Sequence, residues 1–452
     1  MIVGREMDVS ALLEVRRRFV GRGISTLHPI VVTEGKNALL RTADGMELID
    51  FTSGIGVTGL GHCNDRLIAA AERQLRRLWH ICFAVAAYEP YLEVARKLSE
   101  LAPTGSENKA ALFNSGAEAV ENAVKVARLA TGRQGIIAFE NSFHGRTYLA
   151  LTATGKYHPY KAGLGPFVPG IYHAPYPYCY RCPFGQSYPG CGLACLDYLK
   201  NLACLDYLKN WVMKFVAPPD SVAAVLFEPV QGEGGFVVPP EDYARELAGF
   251  LRDHDVLLIA DEVQTGFGRT GRLFGLENFG VRADLFALGK AIANGLPLSA
   301  TVGRAELMDA VHPMGLGTTF GGNPVAAAVA SEVIDVVSDS LFLERVREMG
   351  GLMARRLEEL QERYELVGDV RGLGMMRALE LVRDRRTKEP AQEEAERVIS
   401  AARSRGLLLL KGGAFGNVIR LHPPLTIERE LLERGLDLLE ETLKAVSPSP
   451  SE

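Results

Sequence analysis

The stretch VLLIADEVQTGFGRTGRLFGLENFGVRADLFALGKAIANGLPLSA, Val256 to Ala300, decides the fold. It holds two short apolar runs, VLLIAD and ADLFALGK, rich in strand-forming residues and bounded by Asp or Gly. The first run ends in Asp261 and the second in Lys290. Between them Gly266, Gly268 and Gly271 spell G-x-G-x-x-G directly after a strand. A dinucleotide site would need the third glycine inside a helix and, about 20 residues on, a second strand carrying an acid. Here the glycines continue at Gly275 and Gly280, and no amphipathic helix fits before ADLFALGK, so the fingerprint stands alone and is weak. The strand ends say more. Open α/β sheets bind ligands at the carboxyl edge of their strands. A lysine and an aspartate on neighbouring strand ends suit pyridoxal phosphate: the amine forms a Schiff base, and the carboxylate keeps the pyridine nitrogen protonated, so the ring can act as an electron sink. Singly, such a lysine is most often a solvated surface residue and such an aspartate a helix cap. The pair gains force when the cofactor's other needs are met.

Those needs have matches elsewhere in the chain. A phosphate seeks free backbone N–H groups at a helix start. FNSGAEAVENAVKVAR supplies Asn114, Ser115, Gly116 and Ala117 directly before a helix whose Val120, Ala123, Val124 and Ala127 share one face. A flat ring seeks a flat partner, and ENSFHGRTYLALTATG offers Phe143, with His144 and Arg146 beside it, after the strand GIIAFE. Further short apolar runs, GIIAFE and VAAVLFEPV, alternate with helices and imply an α/β domain with a mainly parallel sheet. This unit spans residues 61–325. Beyond GGNPVAAA, long charged helices, two short strands and a final helix near Arg429–Ala445 make a smaller α+β domain, residues 326–452. The N-terminal segment, residues 1–60, is expected to pack with it, and SPSPSE closes the chain as a disordered tail.

The totals exclude some classes. The chain has 452 residues, 47% hydrophobic and 23% charged, ordinary for a globular protein of two or three units. A net charge of -5 gives no electrostatic reason to expect nucleic acid or anionic membrane as a partner. No run of about 18 apolar residues suggests a membrane span. MIVGREMDVSALLEVRRRF carries charges within its apolar pattern, which suits a short amphipathic helix better than a signal peptide. Seven cysteines, an odd number in a long chain, do not make a secreted disulfide scaffold. The cytoplasm is the default compartment.

In order along residues 20–440, the motifs SGIGVTGLGH, NSGAEAVENAVKVAR, FHGRT, EPVQGEGG, ADEVQTGFGRTG, LGKAIANGLPL and TTFGGNP resemble those of class III (subgroup II) pyridoxal-phosphate aminotransferases. This is the family of 4-aminobutyrate, ornithine and acetylornithine aminotransferases. The resemblance implies fold type I, as in aspartate aminotransferase, with a large domain built on a mainly parallel seven-stranded sheet. It implies that Lys290 is the Schiff-base lysine and proton shuttle, that Asp261 pairs with the pyridine nitrogen, and that Gln264 bonds the ring's 3-oxygen. Val263 and Phe143 would sandwich the ring. Gly116, Ala117 and the Ser115 hydroxyl would hold the phosphate, and His144 and Glu228 would complete the cofactor-binding set. Thr319 would reach the phosphate of the other subunit's cofactor, which implies a homodimer with shared active sites, or a higher assembly built from it. No metal is expected in the site.

The resemblance also implies how two substrates share one pocket. Arg420 would take the α-carboxylate of 2-oxoglutarate, and Glu233 would neutralise it when an ω-amine is bound. Arg146 would hold the distal carboxylate. Ile55 stands where ornithine enzymes have a tyrosine and 4-aminobutyrate enzymes an apolar residue. Ile55 and Arg146 therefore favour 4-aminobutyrate as donor, over ornithine or lysine, with 2-oxoglutarate as acceptor in a ping-pong exchange. An amino-acid racemase on the same fold would use the same Lys290 and Asp261. A non-catalytic relative would lack one of them.

One stretch is left over. YCYRCPFGQSYPGCGLACLDYLKNLACLDYLKN, Tyr178 to Asn210, sets Cys179, Cys182, Cys191 and Cys195 at C-x2-C-x8-C-x3-C spacing and repeats LACLDYLKN twice. Nine residues at about 100° each leave the second copy half a turn out of phase with the first, so it is expected to be a surface duplication. The thiols could lie free on a loop, pair as disulfides, or hold a metal.

Overall fold

The computed structural model describes residues 9–196 and 219–447. The second LACLDYLKN copy, most of the first, and the tail beyond Ser447 lie outside the described residues. A first helix, Val9–Phe19, is followed by three short antiparallel strands: β1 (Val32–Lys36), β2 (Leu39–Thr42) and β3 (Glu47–Asp50).

The main sheet is built from β4 (Asn108–Phe113), β5 (Gly135–Phe139), β6 (Ile171–Ala174), β7 (Val222–Phe227), β8 (Leu257–Asp261), β9 (Leu285–Leu288) and β10 (Ser299–Arg304). Their spatial order is β4-β10-β9-β8-β7-β5-β6. β10 runs antiparallel to both neighbours, and the pairs from β9 through β6 are parallel. GIIAF, VAAVLF, LLIAD and LFAL are buried at every position, as strands covered on both faces must be. Side-chain alternation divides the core. Ile136 and Ala138 of β5 pack with Ala119, Val120, Ala123, Val124 and Ala127 of the helix Gly116–Thr131. Ile137 and Phe139 point the other way, into a cluster shared with the helices Glu89–Leu101 and Pro324–Val337.

The C-terminal part holds more strand than its sequence suggests. Six short strands, β11 (Val367–Leu373), β12 (Met376–Asp384), β13 (Glu389–Pro390), β14 (Leu407–Leu408), β15 (Leu410–Gly412) and β16 (Val418–Leu421), replace the two expected. Four of them have four residues or fewer, too few to show a period, and MRALELVRD carries charges among its apolar positions. β14 pairs in parallel with β3. Ile49 and Phe51, from the N-terminal segment, are buried among residues of the helices Ser340–Arg363 and Arg429–Val446.

The glycine-rich loop after β8 has a structural task. No α-helix starts at Gly271, and only the short 3-10 turn Gly275–Phe279 precedes β9. Glu262, fully buried, accepts N–H bonds from Gly275 at 2.7 Å and Leu276 at 2.9 Å. Arg269, 2% exposed, donates to the carbonyl of Pro423 at 2.6 Å and so ties the loop to the segment after β16. Gly268 and Gly271 take φ of +86° and +85°, which lets the loop wrap this tightly.

The cysteine segment joins β6 to β7 and docks on the C-terminal strands. Tyr178 and Arg181 both bond the buried Glu380 of β12, and Lys388 donates to the carbonyl of Tyr180 at 2.6 Å. Cys179, Cys182, Cys191 and Cys195 are free thiols around one small cavity, closed by Tyr188 and Pro240. Among the described residues, no three His, Cys, Asp or Glu are arranged to hold a metal ion. The segment is thus a docked excursion with unpaired thiols.

Candidate active site

Five strand ends converge at the carboxyl edge of the main sheet. β4 ends at Phe113, and after Asn114 and Ser115 the helix Gly116–Thr131 begins. β5 leads into Phe143 and His144, β7 into Glu228–Glu233, and β8 ends on Asp261 itself. β9 is followed by Gly289 and Lys290, which opens a 3-10 turn with φ of +45°. Because Asp261 sits in register with Ala287, the acid and the lysine come from adjacent parallel strands.

These ends enclose a cavity of about 170 Å³. Gly116, Ala117, Phe143, His144, Glu228, Glu233, Asp261, Val263, Gln264 and Lys290 line it, ten of the residues singled out from sequence. Ser115, Thr319, Ile55, Arg146 and Arg420 do not line it. Ser115 instead caps its helix: its Oγ accepts from the Glu118 N–H at 3.3 Å, while Glu118 accepts from the Ser115 N–H at 2.9 Å. The amides of Gly116 and Ala117, in the first turn of this helix, have no helical partners, and both residues line the cavity. Thr319 lies on an exposed segment between Met314, 85% exposed, and Phe320, 64% exposed. Ile55 is held at φ of +69°, costly for a β-branched residue, in a turn that buried Asp50 fixes through Thr52 and Ser53. Arg420, on β16, reaches the cavity through Glu233.

The hydrogen bonds order the site. Asp261 Oδ2 accepts from His144 Nδ1 at 2.6 Å, and Asp261 Oδ1 from the Val263 N–H at 3.1 Å. Glu228 accepts from the N–H groups of Gly232 at 3.1 Å and Phe143 at 3.2 Å. Glu233 Oε1 accepts from Arg420 Nη1 at 2.6 Å. Its other oxygen, Oε2, accepts from the Tyr160 hydroxyl at 3.0 Å. Arg146 lies 4.7 Å over the Tyr160 ring and 5.9 Å over that of Phe143.

Burial sets the charges. Burial lowers the Lys290 pKa, opposed by the carboxylates of Glu233, Asp261 and Glu228, so its amine loses its proton more readily than a surface lysine. Burial pushes Glu228 up to about 7, helped by the Asp261 charge. Glu233 differs: burial would raise it, but Arg420, Lys290 and the Tyr160 hydroxyl together hold it down at about 2.

Two contributors escaped the sequence. Tyr160 stands in the turn-rich segment GKYHPYKAG, which carries no periodic signal. Gly232 makes room for the Gln264 amide: a Cβ there would lie 2.1 Å from its Oε1 and would displace it.

The residues present fit pyridoxal phosphate. Both polar atoms of the Gln264 amide are buried without a partner, so its Nε2–H is free to donate to a ring oxygen. A Cβ on Gly116 would lie 2.7 Å from Val263 Cγ1, so the first turn of the helix and the Val263 side chain are packed into one cradle. A buried amine, a strand-end carboxylate and an open helix N-terminus on one cavity define a fold type I pyridoxal-phosphate enzyme. The family model described as aminotransferase class-III matches residues 20–443. The chain is 41% identical to a probable 4-aminobutyrate aminotransferase of Bacillus subtilis, covering 95% of this chain and 96% of that one. It is 42% identical to a 5-aminovalerate aminotransferase of Pseudomonas putida, over 97% and 99%. Among solved structures, an (S)-enantioselective omega-transaminase from Thermomicrobium roseum superposes with a TM-score of 0.87 at 30% identity, covering 98% of this chain and all of that one. The chain therefore belongs to the class-III aminotransferase family, and it is a pyridoxal-phosphate-dependent enzyme acting on amino and oxo acids. No helix among the described residues is long and apolar enough to cross a membrane.

Proposed function

We propose that this enzyme is an ω-aminotransferase that moves the amino group of 4-aminobutyrate, with ornithine or lysine as alternative donors, to 2-oxoglutarate in a ping-pong exchange. The observation that carries this reading is the ion pair between Glu233 and Arg420, 2.6 Å long and beside Lys290. Paired, it masks a buried arginine beside the cavity that could take an α-carboxylate, which suits a donor lacking that group. Opened, it offers Arg420 to a dicarboxylic oxo acid. Arg146, exposed at the mouth, would bind the remaining carboxylate of either substrate. The names of the relatives, acting on 4-aminobutyrate and 5-aminovalerate, support an ω-amine donor.

When bound, pyridoxal phosphate supplies the electron sink that makes the substrate carbon acidic. Gly116 and Ala117 would hold its phosphate, with Ser115 fixing their turn. Asp261, braced by His144, would hold the proton on its ring nitrogen, and Gln264 would bind the ring oxygen. Val263 and Phe143 would clamp the ring faces, while Glu228 fixes the Phe143 backbone. Lys290, whose amine burial inclines to be neutral, would take the proton from the substrate carbon onto Nζ and return it to the cofactor carbon. Thr319, exposed between two large apolar side chains, would be covered by a second subunit and reach that subunit's phosphate. The enzyme would then be a homodimer. Among the described residues six cysteines are free thiols, which suits the reducing cytoplasm.

A donor panel tests this: 4-aminobutyrate, ornithine, lysine, β-alanine and alanine, each with and without 2-oxoglutarate. Glutamate should form fastest from 4-aminobutyrate and only with the acceptor present. Loss of optical rotation from a single amino acid without acceptor would instead make the enzyme a racemase.

A further inference from the structure

We propose that Tyr160 is the positioning residue that lets the site alternate between one-carboxylate and two-carboxylate ligands, an inference that rests on the exchange just described. Tyr160 touches each part of that exchange. Its hydroxyl donates to Glu233 Oε2 at 3.0 Å, on the opposite side of the carboxylate from Arg420. Its ring lies under the Arg146 guanidinium at 4.7 Å. The same ring meets Phe143 edge-on, with centroids 4.9 Å apart and planes at 62°. The segment is held in place by the next residue, since Lys161 donates to the carbonyls of Thr152 and Thr154, both at 2.9 Å.

The energetic problem lies with Glu233. Its side chain is only 15% exposed and it is ionised beside Arg420. When a dicarboxylate draws Arg420 away, a buried carboxylate must keep a donor or bear a heavy desolvation cost. Tyr160 is the one other side chain that hydrogen-bonds Glu233 among the described residues. Lys156 adds a positive field there, but its ammonium donates to the Gly413 carbonyl at 2.8 Å. Lys290 also faces Glu233, but its amine is committed to the reaction. The tyrosine hydroxyl is thus worth more with the Glu233–Arg420 pair open than with it closed, where Arg420 still serves Glu233. Its ring meanwhile gives Arg146 a fixed aromatic platform in both states.

The test is calorimetric titration of the cofactor-loaded enzyme with two unreactive probes, glutarate with two carboxylates and butyrate with one. In Tyr160→Phe the ring stays and the hydroxyl is lost. Glutarate should then bind about tenfold more weakly, and butyrate should change less than about threefold. Tyr160→Leu removes the platform as well, so butyrate should also weaken, by about threefold or more. An equal loss for both probes in Tyr160→Phe, or no loss for glutarate, would overturn the proposal. Wild-type enzyme that binds butyrate but not glutarate would instead overturn the two-carboxylate site on which the proposal stands.

Discussion

Glu233→Gln should turn the enzyme toward donors that carry an α-carboxylate. In the wild type, Arg420 and Glu233 lie 2.6 Å apart with side chains 3% and 15% exposed. The fall of the Glu233 carboxyl from 4.5 to about 2 corresponds to about 3 kcal/mol of net favourable surroundings, in which Arg420 is the leading favourable partner and outweighs burial together with Lys290 and Tyr160. An α-carboxylate must overcome a cost of that order before Arg420 can bind it. Glutamine keeps the shape and a hydrogen-bonding carbonyl but loses the charge, so part of the cost disappears. The efficiency with L-glutamate as donor should rise by about 10- to 100-fold, at about 1.4 kcal/mol per tenfold. That with 4-aminobutyrate, which has no carboxylate for Arg420, should not rise. Single-turnover half-reactions, followed by the visible spectrum of the cofactor, measure each donor separately. The variant should also melt at lower temperature, since a buried guanidinium loses its counter-charge. An unchanged or lower efficiency with glutamate, or equal changes for the two donors, would refute the assignment of Glu233 as the mask on Arg420.

Two further outcomes follow from the same geometry. Gly116→Ala sets a Cβ 2.7 Å from Val263 Cγ1, an overpacking cost of about 1–3 kcal/mol, and should weaken retention of pyridoxal phosphate on dialysis by about tenfold. Because the Glu233 carboxyl is held below its ordinary 4.5, the stability it contributes is fully present above about pH 4.5 and is lost as pH falls through 2. Acid titration of the wild type should therefore show a steeper loss of stability below pH 4.5 than the same titration of Glu233→Gln.

The cavity lining was legible where it sits on regular structure. LLIAD and DLFALGK are uninterrupted apolar runs, so their ends could be located, and with them Asp261 and Lys290. FNSGAEAVENAVKVAR shows both a helical face and its N-terminus, which exposed Gly116 and Ala117. Residues that reach the site from irregular chain were harder. Tyr160 lies in a loop fixed by Lys161 bonding back to Thr152 and Thr154, and such side-chain to main-chain ties have no periodic trace. Ser115 was expected to touch a phosphate, whereas its S-x-x-E spacing with Glu118 writes the capping box that the structure shows. The G-x-G-x-x-G signal was real as a loop and misleading as a motif, because its turns serve the buried Glu262 and Arg269. The C-terminal strands were undercounted because several are too short to show alternation, and their partners are distant in sequence, as when β14 pairs with β3.

The most direct test of the account is Lys290→Ala. Lys290 should be the one covalent anchor and the proton carrier, so the purified variant should lack the visible absorbance of the loaded wild type. It should also form no glutamate from 4-aminobutyrate and 2-oxoglutarate at rates above background. A Lys290→Ala enzyme that kept both the absorbance and the turnover would contradict it.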